Sequence, residues 1–160
     1  MATRLVHELT YDAPVEAVAR MLTDREFREE VCRAVQATSY AVTVDRDASA
    51  TKVRIEMEQP TDGVPSFARK LVGATTTVVQ AESWTSPTHA DVHVSIPGKP
   101  GEMEGTTVLE QRDGRTVEVV DLRISVRIPL VAGKVEDLLA KFLVRALKAE
   151  NRVGQDWLAR

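Results

Sequence analysis

The C-terminal stretch from Pro129 to Arg160 constrains this chain most. Apolar or small residues recur there at Val131, Val135, Leu138, Phe142, Ala146, Ala149, Val153 and Trp157. Intervals of three and four place them on one face of a long helix. Lys134, Asp137, Lys141, Lys148, Arg152 and Gln155 fall on the opposite side. Leu139, Leu143, Leu147 and Leu158 widen the apolar arc to roughly half the helix circumference, more than a helix half exposed to solvent carries. Either shorter helices cover that flank, or an exposed patch mediates self-association. Coverage is the favoured expectation, giving a monomer, with a weak homodimer as the alternative. No other long helical pattern exists in the sequence, so everything upstream must fold around this one.

The upstream residues read mostly as strands. Residues 3–11 alternate, with Leu5, His7, Leu9 and Tyr11 on one face. Asp12-Ala-Pro14 breaks the pattern, and Val15, Val18, Ala19 and Leu22 then give a short amphipathic helix with Pro14 just inside its start. Thr23-Asp24 supplies capping side chains for a second short helix, whose expected apolar face is Phe27, Val31, Ala34 and Val35. From Thr38 the period becomes two. Tyr40, Val42 and Val44 pair as a hairpin with Val53, Ile55 and Met57. Pro60–Pro65 ends it, and residues 66–72 suit one or two helical turns, either a lid over a cavity or a plug at the sheet end. Residues 74–84 are rich in Thr and Val. Ala90, Val92, Val94 and Ile96 alternate with polar residues. Residues 102–112 and 115–128 form a last hairpin about Asp113-Gly114. In its second arm Val120, Leu122, Ile124, Val126 and Ile128 face one way, while Arg123 and Arg127 are expected to face Glu110 or Glu118 in a surface charge ladder.

The expected class is therefore α+β in one domain spanning residues 1–160: a curved antiparallel sheet of about six to seven strands around a long C-terminal helix, with two short helices after the first strand. At 160 residues, 43% apolar and 28% charged, such a domain can bury a sizeable core. A net charge of −3 with interspersed signs gives no electrostatic case for nucleic acid or an anionic membrane. Cys32 is the sole cysteine, and the N-terminus lacks the apolar core of a signal peptide, so a cytoplasmic protein is expected. No apolar run approaches the roughly 18 residues of a membrane span, and stable membrane insertion is not expected.

The element order resembles the helix-grip fold of the START, polyketide-cyclase and birch-pollen-allergen-like superfamily. The likeness is carried by the first strand followed by Asp12-Ala-Pro-Val-Glu-Ala-Val-Ala-Arg-Met-Leu-Thr-Asp24, which is similar to the superfamily's opening of strand, Ala-Pro and a helix ending in Thr/Ser-Asp. The aromatic residue common in the middle of that helix is absent, Ala19-Arg20 standing near its place. Ile128-Pro-Leu-Val-Ala-Gly-Lys-Val-Glu136 resembles the same region of a mainly actinobacterial branch. Such motifs speak for fold rather than function. The resemblance implies a cavity between sheet and long helix, used in the superfamily for lipids, polyketides, hormones or protein partners.

Several residue groups invite a chemical reading. His89, Asp91 and His93 project to one side of a strand with metal-ligating side chains, but their neighbours occupy the apolar face, which leaves the triplet on the wet surface. Cys32 lacks a neighbouring base in sequence and reads as a small core residue. Pro97-Gly-Lys-Pro-Gly101 is a turn, not a phosphate loop. His7 points inward and is either a satisfied core histidine or a polar contact in the cavity.

The favoured expectation is a non-catalytic protein binding a small hydrophobic or lipid-like molecule, with no catalytic residue, cofactor or metal. Expected cavity residues from the sheet and its connections are His7, Leu9, Val42, Ile55 and Met57, then Phe67, Leu71, Val94 and Leu122. The helix would add Leu138, Phe142 and Ala146. The alternatives are an enzyme of cyclase, dehydratase or hydrolase type using the same cavity with His7 as acid or base, and a protein-interaction module working through the wide leucine face.

Overall fold

The computed structural model describes residues 2–160. The elements run β1 (Ala2–Tyr11), α1 (Val15–Leu22), α2 (Arg25–Ala34), β2 (Ser39–Arg46), β3 (Thr51–Pro60), α3 (Ser66–Val72), β4 (Thr75–Ser86), β5 (His89–Ser95), β6 (Gly101–Arg112), β7 (Arg115–Val126) and α4 (Ala132–Leu158). The seven strands form one antiparallel sheet in the order β1-β7-β6-β5-β4-β3-β2. This is the helix-grip α+β architecture expected from the period changes along the chain. The last strand stops at Val126, short of Ile128.

Local chemistry accounts for the joints. Asp113 and Gly114 both hold positive φ, 50° and 79°, the two-residue turn whose twist matches a tight hairpin. Asp24 caps α2 by accepting hydrogen bonds from the amides of Glu26 and Phe27. Thr23 does not share that role, because its hydroxyl donates back to the Ala19 carbonyl at 3.0 Å. Thr61 ties the β3–β4 crossover shut, its hydroxyl lying 2.8 Å from the Ala74 carbonyl.

Register sets which side chains face the helix. Paired residues across antiparallel strands point to the same side. The pairs His7↔Val120 and Leu5↔Leu122, with Val120↔Thr107 and Leu122↔Gly105, put the even residues of β7 on the concave face. Glu118 belongs to that set and is 3% exposed. The expected ladder of Glu118 with Arg123 and Arg127 is therefore incorrect. Parity carries Glu118 inside, and the outer face pairs Arg4 with Asp121, Arg112 with Glu8 and Glu110, and Arg127 with Glu102.

The face that α4 turns inward is centred differently from the expected stripe. Val135, Glu136, Leu147, Ala149, Glu150 and Gly154 are buried. Leu139, Leu143 and Leu158 pack against the core, so the leucine flank is the gripped face rather than a free one. Leu138 and Phe142 are only half-buried and lie outside the core, Phe142 beneath the Arg145 guanidinium at 5.7 Å. Two short helices close the remaining side. On α2, Phe27 meets Trp157 edge-on, ring centroids 5.7 Å apart. Arg28 and Cys32 complete the buried face of α2, whereas Ala34 is exposed. At the start of α4, Glu136 accepts hydrogen bonds from the Thr3 hydroxyl at 2.9 Å and the Val126 amide at 3.0 Å. Beyond its end, both terminal nitrogens of Arg160 lie 3.0 Å from Glu30. Among the described residues no helix is long and apolar enough to cross a membrane.

Candidate functional site

Between the concave sheet and the middle of α4 lies a cavity of about 60 Å³. Its walls are mostly apolar: Val31, Cys32 and Val35 from α2, Ile55 and Met57 from β3, Val92 and Val94 from β5, Val120 and Leu122 from β7. Leu143, Ala146 and Leu147 of α4 close it from above.

Into this lining projects a cluster of charged side chains that the sequence reading did not single out. Arg28 enters from α2, Glu82 from β4, Glu118 from β7 and Glu150 from α4, all among the buried residues. Each guanidinium nitrogen of Arg28 is engaged. Nε donates to the Leu22 carbonyl at 2.7 Å, Nη2 to Glu82 Oε1 at 2.7 Å and Nη1 to Glu150 Oε1 at 3.3 Å. Glu82 also accepts from Trp84 Nε1 at 2.8 Å and from Gln80 Nε2 at 2.5 Å. Such pairing is what makes a buried ion pair tolerable. Glu118 stands apart: the Tyr11 hydroxyl lies near enough to lower its pKa, yet neither that hydroxyl nor Glu118 Oε1 makes a well-formed hydrogen bond among the described residues.

One cation thus faces three carboxyls, and the ionisation of the group follows. Burial, then the neighbouring Glu150, holds the Glu118 carboxyl well above its usual range, against the pull of Arg28. Burial also pushes Glu150 up to about 7, with Arg28 lowering it and Glu82 raising it. Burial followed by Glu118 and Glu150 raises the Tyr11 phenol. Burial opposes the charge on Arg28, but Glu82, Glu150 and Glu118 outweigh it and leave its pKa raised. The site therefore holds two carboxyls whose burial favours the protonated form, Glu150 at about 7, in mostly apolar surroundings.

Of the expected cavity residues, Ile55, Met57, Val94, Leu122 and Ala146 stand on the wall. Seven do not. Because β1 is an edge strand, His7 looks out at the flank of α4. It lines a separate open groove of about 250 Å³ with Glu8, Leu9, Lys148, Asn151 and Arg152. Leu9 and Val42 are buried in the core beyond the cavity. Phe67 is 45% exposed and α3 buries only Ala68, so neither Phe67 nor Leu71 reaches the space. Leu138 and Phe142 miss it through the rotation of α4. His89, Asp91 and His93 lie on the convex side, His89 3.3 Å from Asp91 and His93 3.1 Å from Glu102. Among the described residues no group of three or more potential metal ligands converges. The signal for the missed cluster was parity. Glu118 keeps step with Val120 and Leu122, Glu82 with Trp84, and Glu150 lies three residues after Leu147 and four before Gly154.

The profile of a family described as "Protein of unknown function (DUF2505)" matches residues 6–158. The chain belongs to the DUF2505 family. No curated protein matches it. Among solved structures, this DUF2505 chain is similar to TTHA0849 from Thermus thermophilus, with a TM-score of 0.64 and 19% identity over 96% of this chain and 95% of that one. It is similar to a START superfamily protein from Mycobacterium smegmatis, with a TM-score of 0.60 and 16% identity over 95% and 97%. It is likewise similar to the Zhui aromatase/cyclase from a Streptomyces species, with a TM-score of 0.58 and 16% identity over 98% and 90%. At these identities the likeness establishes the START-like fold of the DUF2505 chain and nothing about its chemistry.

Proposed function

We propose that this DUF2505 protein binds a small, largely apolar molecule in the cavity beneath α4, with one polar group of the ligand turned to Glu118. The observation that carries this is the unpartnered Oε1 of Glu118, a residue of the mostly apolar lining. Buried polar atoms normally find partners, and an unmade hydrogen bond of this kind costs about 1–3 kcal/mol. A ligand group supplying the missing partner recovers that cost. The fold of the START superfamily protein and of the aromatase/cyclase supports the reading. At about 60 Å³ the cavity is well below the roughly 150 Å³ that admits a benzene ring, which favours a compact guest over a lipid tail. Native mass spectrometry of protein purified from its own host, together with thermal-shift panels of small apolar alcohols, ketones and amines, tests it. A retained mass or a shift that disappears in Ala146→Leu supports the cavity. Neither a copurifying ligand nor a shift removes it.

A second reading is a proton-transfer enzyme of cyclase, dehydratase or hydrolase type. The observation favouring it is the pair of buried carboxyls with raised pKa, the arrangement enzymes use to run acid and base steps near neutrality. Glu118 would act as the acid and Glu150 as the base, in place of His7. Loss of turnover in Glu118→Gln with full turnover in His7→Ala is the expected pattern. The reverse pattern excludes this assignment.

A further inference from the structure

The charge balance inside the cavity narrows the ligand class, an inference that rests on the binding reading above. We propose that the guest is a small primary amine, its ammonium seated between Glu118 and Glu150 and its apolar body against Ile55, Val94 and Leu122.

Three observations converge on a cation. Arg28 spends three of its five N–H donors on Leu22, Glu82 and Glu150, and its single charge is already shared between two carboxyls. A carboxylate or phosphate would instead meet Glu118 and Glu150 at close range. With Arg28 and Glu82 paired at 2.7 Å, those two carboxyls are in excess. Glu118 is 3% exposed, belongs to the cavity lining and keeps one carboxyl oxygen buried without a hydrogen-bond partner among the described residues. An ammonium offers three donors and one positive charge, and buried charges persist where they are paired. A neutral alcohol or ketone would satisfy the free oxygen or its proton but leave the acid excess in place.

The groups facing the seat are Arg28 and Cys32 from α2, Tyr11 from β1, Glu82 from β4, Glu118 from β7 and Glu150 from α4. In the empty cavity at least one excess carboxyl is protonated. Seating an ammonium displaces that proton to solvent, so binding is non-covalent and coupled to proton release. Affinity therefore rises as the pH climbs through the Glu150 range near 7, because fewer protons remain to be displaced.

Isothermal titration of the full chain with matched probes small enough for a cavity of about 60 Å³ tests this: methylamine, methanol and formate, and the corresponding ethyl series. The expected result is amine binding at least about tenfold tighter than the alcohol, with no heat from the carboxylate. Titrations in buffers of different ionisation enthalpy should show net proton release on amine binding, with tighter binding at about pH 8 than at about pH 6. The near-isosteric Glu118→Gln, its fold checked by circular dichroism, should lose the amine preference, and Ala146→Leu should lose binding altogether. Alcohol or carboxylate binding as well as the amine overturns the proposal and leaves the cavity reading standing. So does amine binding that is undiminished in Glu118→Gln. Silence from every probe overturns both.

Discussion

The Tyr11 ring packs so closely against the α4 backbone at Gly154 that a Cβ at that position would lie 2.5 Å from its Cε1. This contact sets how near the helix comes to β1, and Met21 closes it from the other side with a Cβ-to-methyl distance of 3.1 Å. In a solvent-exposed helix Gly→Ala stabilises by up to about 1 kcal/mol. Gly154→Ala is expected to do the opposite, losing about 1–3 kcal/mol through overpacking of an aromatic ring that has no free space to enter. Urea unfolding measures it, and an unchanged or raised midpoint would show that the ring and helix yield easily.

Removing the cation from the buried cluster leaves Glu82 uncompensated. Arg28→Met should cost about 3–5 kcal/mol. Neutralising the partner as well, in Arg28→Met/Glu82→Gln, should restore about half or more of the loss, because the amide oxygen introduced there still accepts from Trp84 while the stranded charge is gone. Equal destabilisation in the single and double variants would mean that the guanidinium matters for packing rather than charge.

Stability should fall as pH rises. Glu118 and Glu150 both hold protons more tightly in the folded chain than in the unfolded one, with Glu150 raised from 4.5 to about 7. Between about pH 5 and pH 8 the folded state therefore binds more protons, and unfolding becomes easier with each step upward. Differential scanning calorimetry is expected to give a Tm lower by roughly 5 °C or more at the upper end. Glu118→Gln should flatten the dependence. A Tm that climbs over this window contradicts the shifts.

Cys32 is 2% exposed, and burial raises its thiol to about 11. Thiolate is the reactive form, so a disulfide reagent at about pH 8 should label native protein only as fast as α2 opens. Denaturant should make labelling immediate. Rapid labelling of the folded chain would show that α2 is not held against the sheet as described.

Leu143→Glu places a charge on the gripped face, where Leu143 lines the cavity beside Ala146 and Leu147. The expected outcome is loss of about 2 kcal/mol or more, seen as a lowered thermal midpoint by circular dichroism. If stability is retained and light scattering instead reports a changed oligomeric state, the leucine face is an interface after all.

The architecture was legible because strand and helix periods are printed directly in the residues. Tyr40-Val42-Val44 against Val53-Ile55-Met57 names a hairpin, and Asp113-Gly114 names the turn chemistry of another. The charged cluster was equally printed, yet it was missed. Glu118 occupies an apolar-parity slot, but carboxylates are rarely buried unless paired, and its cationic neighbour sits on a helix far away in sequence. Only the fold brings Arg28 over β7. The same blindness shifted the gripped face of α4: Glu136 and Glu150 interrupt the stripe of Leu139, Leu143, Leu147 and Gly154, so the apolar spacing points to Leu138 and Phe142 instead. His7 was misread because parity tells which side of a sheet a residue faces, not whether the helix reaches that edge.

The two ends of α4 are fastened by unrelated chemistry, Glu136 to Thr3 and Val126 at one, Trp157 and Arg160 to α2 at the other. A beam supported at both ends cannot swing aside like a door. Enlarging the space beneath it by tilting the helix would break one fastening outright. The cheaper deformation is on the opposite bank, where α3 buries little and the β3–β4 crossover is closed chiefly by the Thr61 hydroxyl and amide. Any widening of the cavity thus falls to the sheet's β3–β4 side, and the long helix is its fixed ceiling.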